Sequence, residues 1–285
     1  MLVNKQSEAL VEQRTIIFLH IPKTAGLTLY DVLNREYGRS NIFTFEGGRQ
    51  RLKESIERFK RLSMVDRARY RLLRGHAPFG LHELLPNPYA YITVLRDPVA
   101  RVISHYYYIR RNPRHALHDQ VTGMTLKAYV TSNLTTELDN DQTRLMAGVG
   151  DSIEFGQCSP ALLDQAKANA DRYFLAVGVA ERFDETLMVM KRTLQWQRFP
   201  LYTRQNVSRH KPYAADVSSK TRCLIEKYNE LDCELYAYAW KRFEKDVAMI
   251  EEREAKLFHL LNAAYYPYGR AYSTLRAAVR KLRAS

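Results

Sequence analysis

Residues 16–29 read Ile16-Ile17-Phe18-Leu19-His20-Ile21-Pro22-Lys23-Thr24-Ala25-Gly26-Leu27-Thr28-Leu29. Residues 16–21 are a run of β-formers, and Pro22-Lys23-Thr24 is a turn. From residue 24 the pattern is helical to residue 37, with Leu29, Val32, Leu33 and Tyr37 on one face and Gly38 as the stop. A strand, a tight loop and a helix start make an anion-binding device. The first helical amides have no acceptor within the helix, and the helix dipole favours negative charge at that end. Lys23 adds a full positive charge, Thr24 and Thr28 add hydroxyl donors, and Gly26 allows close approach to the backbone. The reading is a phosphate- or sulfate-binding loop; the alternative is an ordinary strand-to-helix turn with a surface lysine. The common nucleotide loop G-x-x-x-x-G-K-[ST] is not what stands here, because no glycine precedes Lys23 in the turn.

Outward from that stretch, strands and helices alternate. Residues 70–74 read as a short strand ending at Gly75-His76, and residues 89–95 (Tyr-Ala-Tyr-Ile-Thr-Val-Leu) as a buried one. The second breaks at Arg96-Asp97-Pro98, where Asp97 suits a helix cap and Pro98 the first helical position. Residues 173–179 read as another buried strand, followed by a helix from about Phe183 to Trp196. Residues 200–217 read as a polar loop, and the chain from Ser218 onward as helical, to about Leu261. This alternation predicts an α/β layered fold with a mainly parallel sheet and a largely helical C-terminal part. Ligands in such folds sit beyond the carboxyl ends of the strands. There the 22–28 loop, Gly75-His76 and Arg96 would converge if their strands share a sheet.

The domain division expected is a lead-in over residues 1–14, a single α/β domain over 15–262 and a basic tail over 263–285. The 285 residues are 46% hydrophobic and 26% charged, which is a globular balance. A net charge of +13 calls for an anionic partner, whether nucleotide phosphate, acidic glycan, nucleic acid or membrane surface. Residues 47–68 are especially basic, with Leu52, Ile56 and Phe59 at helical spacing; they read as a solvated amphipathic helix or as one wall of an anion-binding cleft. Cys158, Cys223 and Cys233 have neither disulfide-framework nor zinc-site spacing. No apolar run reaches membrane-spanning length, and residues 1–15 lack a signal-peptide core, so the expected location is cytoplasmic.

Arg96 lies eight positions before Ser104 (104 − 96). A guanidinium fork and a hydroxyl could flank one phosphate if the chain reverses at Asp97-Pro98; alternatively Arg96 pairs with a carboxylate and Ser104 packs against the sheet. The segments 21–29 and Val94-Leu95-Arg96-Asp97-Pro98-Val99-Ala100-Arg101-Val102-Ile103-Ser104-His105-Tyr106-Tyr107-Tyr108 together resemble the two cofactor motifs of sulfotransferases. The likeness is to the branch of heparan sulfate 2-O-sulfotransferases and their bacterial relatives. Weaker echoes are Asn140-Asp141-Gln142-Thr143-Arg144, residues 177–183 and Asp232-Cys233-Glu234-Leu235-Tyr236.

The resemblance implies a P-loop-like three-layer fold and the donor 3′-phosphoadenosine 5′-phosphosulfate (PAPS), leaving 3′-phosphoadenosine 5′-phosphate (PAP) as product, with no metal. It gives the 5′-phosphosulfate to Lys23, Thr24, Ala25, Gly26, Leu27 and Thr28, the 3′-phosphate to Arg96 and Ser104, and a further cofactor loop to Asn206 and Ser208. Leu27 departs from the Ser or Thr of many relatives. The acceptor would be a hydroxyl, most simply of a carbohydrate, with no role for nucleic acid. Histidine titrates near neutrality, which makes His76 the candidate base. Glycan-specific relatives carry a histidine in a comparable Gly-His context. Lys23 would then stabilise the leaving group. His20 is expected to point into the sheet. Two other readings remain: a nucleotide-dependent kinase, or a non-enzymatic basic module binding nucleic acid or acidic glycan through residues 49–71 and 270–283. The tail could also touch an anionic membrane, and the sequence is silent on oligomeric state.

Overall fold

The computed structural model describes residues 14–203 and 217–282, with side chains in the last helix described as far as residue 269. Five strands form one sheet: β1 (Thr15–Leu19), β2 (Ile42–Phe45), β3 (Leu72–Gly75), β4 (Tyr89–Leu95) and β5 (Phe174–Val179). Their order is β2-β3-β1-β4-β5 and every pairing is parallel. From β1 the chain thus goes to the edge strand β2, returns through β3 beside β1, and then crosses to β4 and β5 on the other side. The topological switch falls at the carboxyl end of β1, where ligands bind in folds of this kind.

The three-layer expectation holds, because alternate residues of each strand face opposite sides. Ile16 and Phe18 of β1 join Leu72, Ile92 and Ala176 on one face, under the helices Gly26–Tyr37 and Phe183–Thr193. Ile17 and Leu19 join Leu73, Tyr91 and Val177 on the other, under the helices Arg49–Lys60 and Pro160–Tyr173. A third cluster forms where the helix Pro98–Arg111 packs Val102, Tyr106 and Ile109 against Val121, Tyr129, Leu138 and Ile225.

Two local differences from the sequence reading matter for the site. β2 is a strand that the sequence reading passed over, since four residues are too few to show a period. Its signal is Ile-Phe-Thr-Phe set between turn residues. Phe43 and Phe45 are buried against Phe59, with Phe43 and Phe59 ring centroids 4.7 Å apart, so β2 anchors the basic helix and sets Gly47-Gly48 over the sheet's end. The first helix starts at Gly26 rather than residue 24, because Lys23 and Ala25 adopt left-handed backbone with φ of 70° and 66°. At the other end of the chain, one helix, Glu252–Leu282, continues past residue 262 and through Pro267. The side chains of the basic stretch 270–283 lie outside the described part, apart from Ala271.

The Asn140–Arg144 and Asp232–Tyr236 segments, weak echoes in the sequence, fasten to each other. Asp232 is fully buried; its carboxylate accepts from the Gln142 amide at 3.1 Å and from the Thr143 amide and hydroxyl at 2.7 and 2.8 Å. It thereby serves the donors of the helix Asp141–Ala147 that no residue of that helix can satisfy. Asn140 closes the loop by accepting from the Asp232 amide. Asp232→Ala would strand these buried donors and is expected to cost about 2–4 kcal/mol in urea unfolding; a loss under about 1 kcal/mol would contradict this anchoring role.

Candidate active site

The parallel register sets the ends of three strands side by side. Leu19 pairs with both Gly75 and Thr93, so the next residues of β1 and β3 are the neighbours His20 and His76. The His20 amide donates to the Gly75 carbonyl at 2.9 Å, and the Thr93 hydroxyl to the Leu19 carbonyl at 2.8 Å. Gly75 must be glycine, since a Cβ there would lie 2.2 Å from the Phe45 carbonyl oxygen. The short β2 therefore fixes where His76 emerges.

Alternating left-handed residues at Lys23 and Ala25 fold the loop back over the helix start, an arrangement that turns successive amides inward. The helix Gly26–Tyr37 carries no acidic residue in its first turn, in keeping with an anion there. The Lys23 ammonium lies 3.8 Å from the centroid of the Tyr108 ring. Gly26 sits directly over His20: an added Cβ would lie 1.8 Å from His20 Nε2. His20 is buried as expected, but it also floors the site, bonded through Nδ1 to the Tyr30 hydroxyl at 3.0 Å and with its ring 4.2 Å from that of His76. Burial, reinforced by His76, Lys23 and Arg74, holds His20 well below the usual histidine range, so it is neutral at pH 7.

Arg96 is held from three directions. Its amide donates to Gln142 Oε1 and its carbonyl accepts from Gln142 Nε2, both at 2.9 Å. Its guanidinium donates to the Lys23 carbonyl at 3.0 Å, tying the β4 loop to the β1 loop. Its Nε lies 3.8 Å from Glu181, whose other oxygen accepts from the Tyr236 hydroxyl at 2.9 Å. The carboxylate alternative for Arg96 is thus met in part, and Arg96 still lines the cleft. Asp97 caps the following helix, accepting from the Ala100 amide at 2.7 Å, with Pro98 in the first turn as the sequence implies.

His76 Nδ1 donates to the His20 carbonyl at 2.9 Å, because a carbonyl can only accept. That contact fixes the tautomer and leaves Nε2 with a lone pair. Burial draws the His76 pKa below its ordinary value, with partial opposition from Glu137 and from the bond to the His20 carbonyl. His76 is therefore neutral at pH 7 and able to take a proton.

One cleft of about 1300 Å³ gathers these groups. Lys23, Ala25, Gly26, Leu27, Thr28, His76, Arg96 and Ser104 all line it. Thr24 does not. Its hydroxyl is buried and donates to the Ile21 carbonyl at 2.9 Å, so the expectation of a ligand-facing hydroxyl is corrected: Thr24 braces the loop from within. Asn206 and Ser208 lie outside the described residues. Leu27 is half exposed and presents an apolar side chain at the loop. Arg51 of the basic helix lines the cleft, which favours the cleft-wall reading for that part of residues 47–68. The sequence reading assigned no role to Tyr108, His115 or Glu137, which also line it. Among the described residues no cluster of His, Cys, Asp and Glu is placed to hold a metal ion.

Comparison with known proteins shows the family. The family model for galactose-3-O-sulfotransferase matches residues 5–259. The chain belongs to that family. Heparan-sulfate 6-O-sulfotransferase 3-B of Danio rerio is 26% identical over 84% of this chain and 66% of its own length. Human galactose-3-O-sulfotransferase 2 is 26% identical over 78% of this chain and 58% of its own, and human galactosylceramide sulfotransferase 26% over 81% and 58%. The family member described here therefore spans roughly three-fifths to two-thirds of the length of these relatives. A solved mouse sulfotransferase complexed with PAP aligns at 15% identity and a TM-score of 0.35 over 81% of this chain and 71% of its own, a likeness too low to build on.

The sulfotransferase resemblance is thus upheld, while the matches specify 6-O and galactose-3-O enzymes rather than the 2-O branch. The cytoplasmic expectation is overturned. These relatives are sulfotransferases named for heparan sulfate, galactose and galactosylceramide, acceptors that are not cytoplasmic. Among the described residues no helix is long and apolar enough to cross a membrane.

The contact between Gly26 and His20 can be read by a double-mutant cycle. Gly26→Ala should destabilise by about 1–3 kcal/mol through overpacking, although alanine is the better helix former. In a His20→Ala background the same change should be neutral or stabilising. Equal effects in both backgrounds would contradict the contact.

Proposed function

We propose that this protein transfers the sulfuryl group of PAPS to a hydroxyl of a saccharide, free or carried on a lipid. The observation that carries the reading is the single cleft holding an anion-binding helix start with Lys23, an arginine–serine pair at Arg96 and Ser104, and a neutral histidine with a bare Nε2. The donor has two anionic ends, and the residues fit both. The β1 loop and Lys23 would hold the 5′ end; Arg96 and Ser104 would hold the 3′-phosphate. When bound, PAPS supplies an activated sulfuryl group on a phosphate leaving group.

The chain's own residues supply the remainder. His76 Nε2 accepts the proton of the acceptor hydroxyl as its oxygen becomes the nucleophile. Its Nδ1–H stays on the His20 carbonyl, so the ring does not turn as its charge changes. Lys23 and the amides of the first helical turn offset charge developing on the leaving phosphate oxygens. Gln142 and Glu181 hold Arg96 in place before the nucleotide arrives, which reduces the ordering cost on binding. The kinase reading has less support, because the glycine-rich Walker pattern is missing from the loop. Saccharide acceptors are favoured by the names of the relatives, which act on heparan sulfate, galactose and galactosylceramide.

A transfer assay with labelled PAPS over a panel of galactosides, glycosaminoglycan fragments and glycolipids tests the reading; label in none of them, with the nucleotide bound, would overturn it. Within that assay His76→Gln should lower kcat by about 10²–10⁴-fold and leave PAP affinity within about twofold of wild type. Near-normal turnover would remove His76 from the role. Lys23→Ala should weaken PAP binding by about 10–100-fold in calorimetry, the scale of a charge-assisted contact; unchanged affinity would contradict the placement of the 5′ end. The base must be deprotonated to act, and burial holds His76 below its ordinary pKa of 6.5. Plotted against pH, kcat/KM should therefore be flat at neutrality and fall only as pH drops through a value below 6.5.

A further inference from the structure

The cleft is built for anions, yet one carboxylate stands on its acceptor side. Glu137 comes from the short turn Thr136–Leu138, just before the Asn140–Arg144 segment. Its backbone is clamped, since the buried Arg101 guanidinium donates to the Glu137 carbonyl at 2.6 Å and to Asp141 at 3.0 Å. Its Oε2 lies 3.0 Å from His105 Nε2, and His105 Nδ1 lies 3.0 Å from the Tyr129 hydroxyl. His105 and Tyr129 are both buried, whereas the Glu137 side chain remains 32% exposed and faces the same space as His76 and His115. The other carboxylates of the cleft, Glu181, Asp184 and Glu185, follow β5 at the Arg96 end.

A fixed negative charge in a site for a polyanionic donor is unfavourable to the donor. It becomes favourable toward a ligand that donates hydrogen bonds. An ionised carboxylate has about four acceptor positions and no donor. One oxygen lies 3.0 Å from His105, and the partly exposed side chain lines the cleft. We propose that Glu137 is a second acceptor-binding group, taking a hydrogen bond from a hydroxyl adjacent to the one His76 deprotonates, so that the cleft selects a saccharide diol. This rests on the reading of His76 as the base of a sulfuryl transfer.

The groups around the pair give the proposal its second readout. His76 faces His20, Lys23 and Glu137; Glu137 faces His105 and Arg101 from the helix Pro98–Arg111, and His76 and His115 from the two loops. Burial disfavours the Glu137 carboxylate, but His105 and Arg101 outweigh it and keep it ionised. Its charge in turn raises the pKa of His76. A role confined to pairing with His105 would leave the acceptor untouched.

The test is Glu137→Gln, which keeps shape and removes charge, assayed with methyl β-galactoside and its monodeoxy forms alongside glucoside and glucuronide counterparts. Expected are an acceptor KM raised about 10–100-fold, the loss of one charge-assisted hydrogen bond, with PAP affinity and melting temperature near wild type. Removing the neighbouring hydroxyl from the acceptor should cost the wild type that same factor and cost the variant nothing further. The His76 titration, followed by NMR in the PAP complex, should move to lower pH. Glu137→Asp, which keeps the charge but withdraws it by one methylene, should hold the His76 titration near wild type and still raise acceptor KM. An unchanged acceptor KM, or deoxy penalties that simply add to that of the variant, would overturn the proposal. So would an unmoved His76 titration, a result that needs no turnover. Failure of the wild type to transfer sulfate to any acceptor would instead fall on the sulfotransferase reading.

Discussion

One hydrogen bond, from the Arg96 guanidinium to the Lys23 carbonyl, joins the loop after β4 to the loop after β1. Without it the two anion-binding elements would be separate features of adjacent strands. With it the lysine loop and the arginine belong to one wall of one cleft. The bond depends on where the Arg96 backbone is held, and Gln142 holds it at both amide and carbonyl. Gln142 is placed in turn by the Asp232 carboxylate at the start of its helix. Buried polar groups linked this way are rigid because each member is satisfied only when the others are. The chain from Asp232 through Gln142 to Arg96 carries order from the C-terminal helices into the site.

Charge is distributed with similar economy. The cleft offers the helix start, Lys23 and Arg96 to an anionic ligand, while its histidines His20 and His76 are kept neutral by burial. A charged histidine in that position would bind anion but could not accept a proton. The 4.2 Å stack of His20 on His76 is compatible with this state, since two imidazolium rings at that separation would repel.

Much of this was legible in the sequence. The strand–loop–helix of residues 16–29, the buried strand before Arg96 with its Asp97-Pro98 helix start, and the convergence of His76 with both follow from residue types and spacing. What was not legible depends on contacts between distant segments. β2 is only four residues long, and its importance comes from Phe43 and Phe45 meeting Phe59 and from Phe45 backing onto Gly75. Thr24 reads as a ligand donor in sequence because hydroxyls suit such loops, yet the turn directs it onto Ile21. Glu137 carries no periodic or motif signal; only the fold brings it to the cleft beside His105. The echoes at residues 140–144, 177–183 and 232–236 were visible as resemblance, but their physical role as supports around Arg96 required three dimensions. Location was misjudged because apolar run length and residues 1–15 say little about where a glycan-modifying family works.

The placement of the donor is the claim on which the functional reading stands, and a crystal structure of the protein with PAP tests it most directly. The expected density has the 5′-phosphate against the amides of Gly26 and Leu27 with Lys23 alongside, and the 3′-phosphate on Arg96 and Ser104 within the same cleft. Nucleotide bound elsewhere, or with its two phosphates reversed between Lys23 and Arg96, would contradict it.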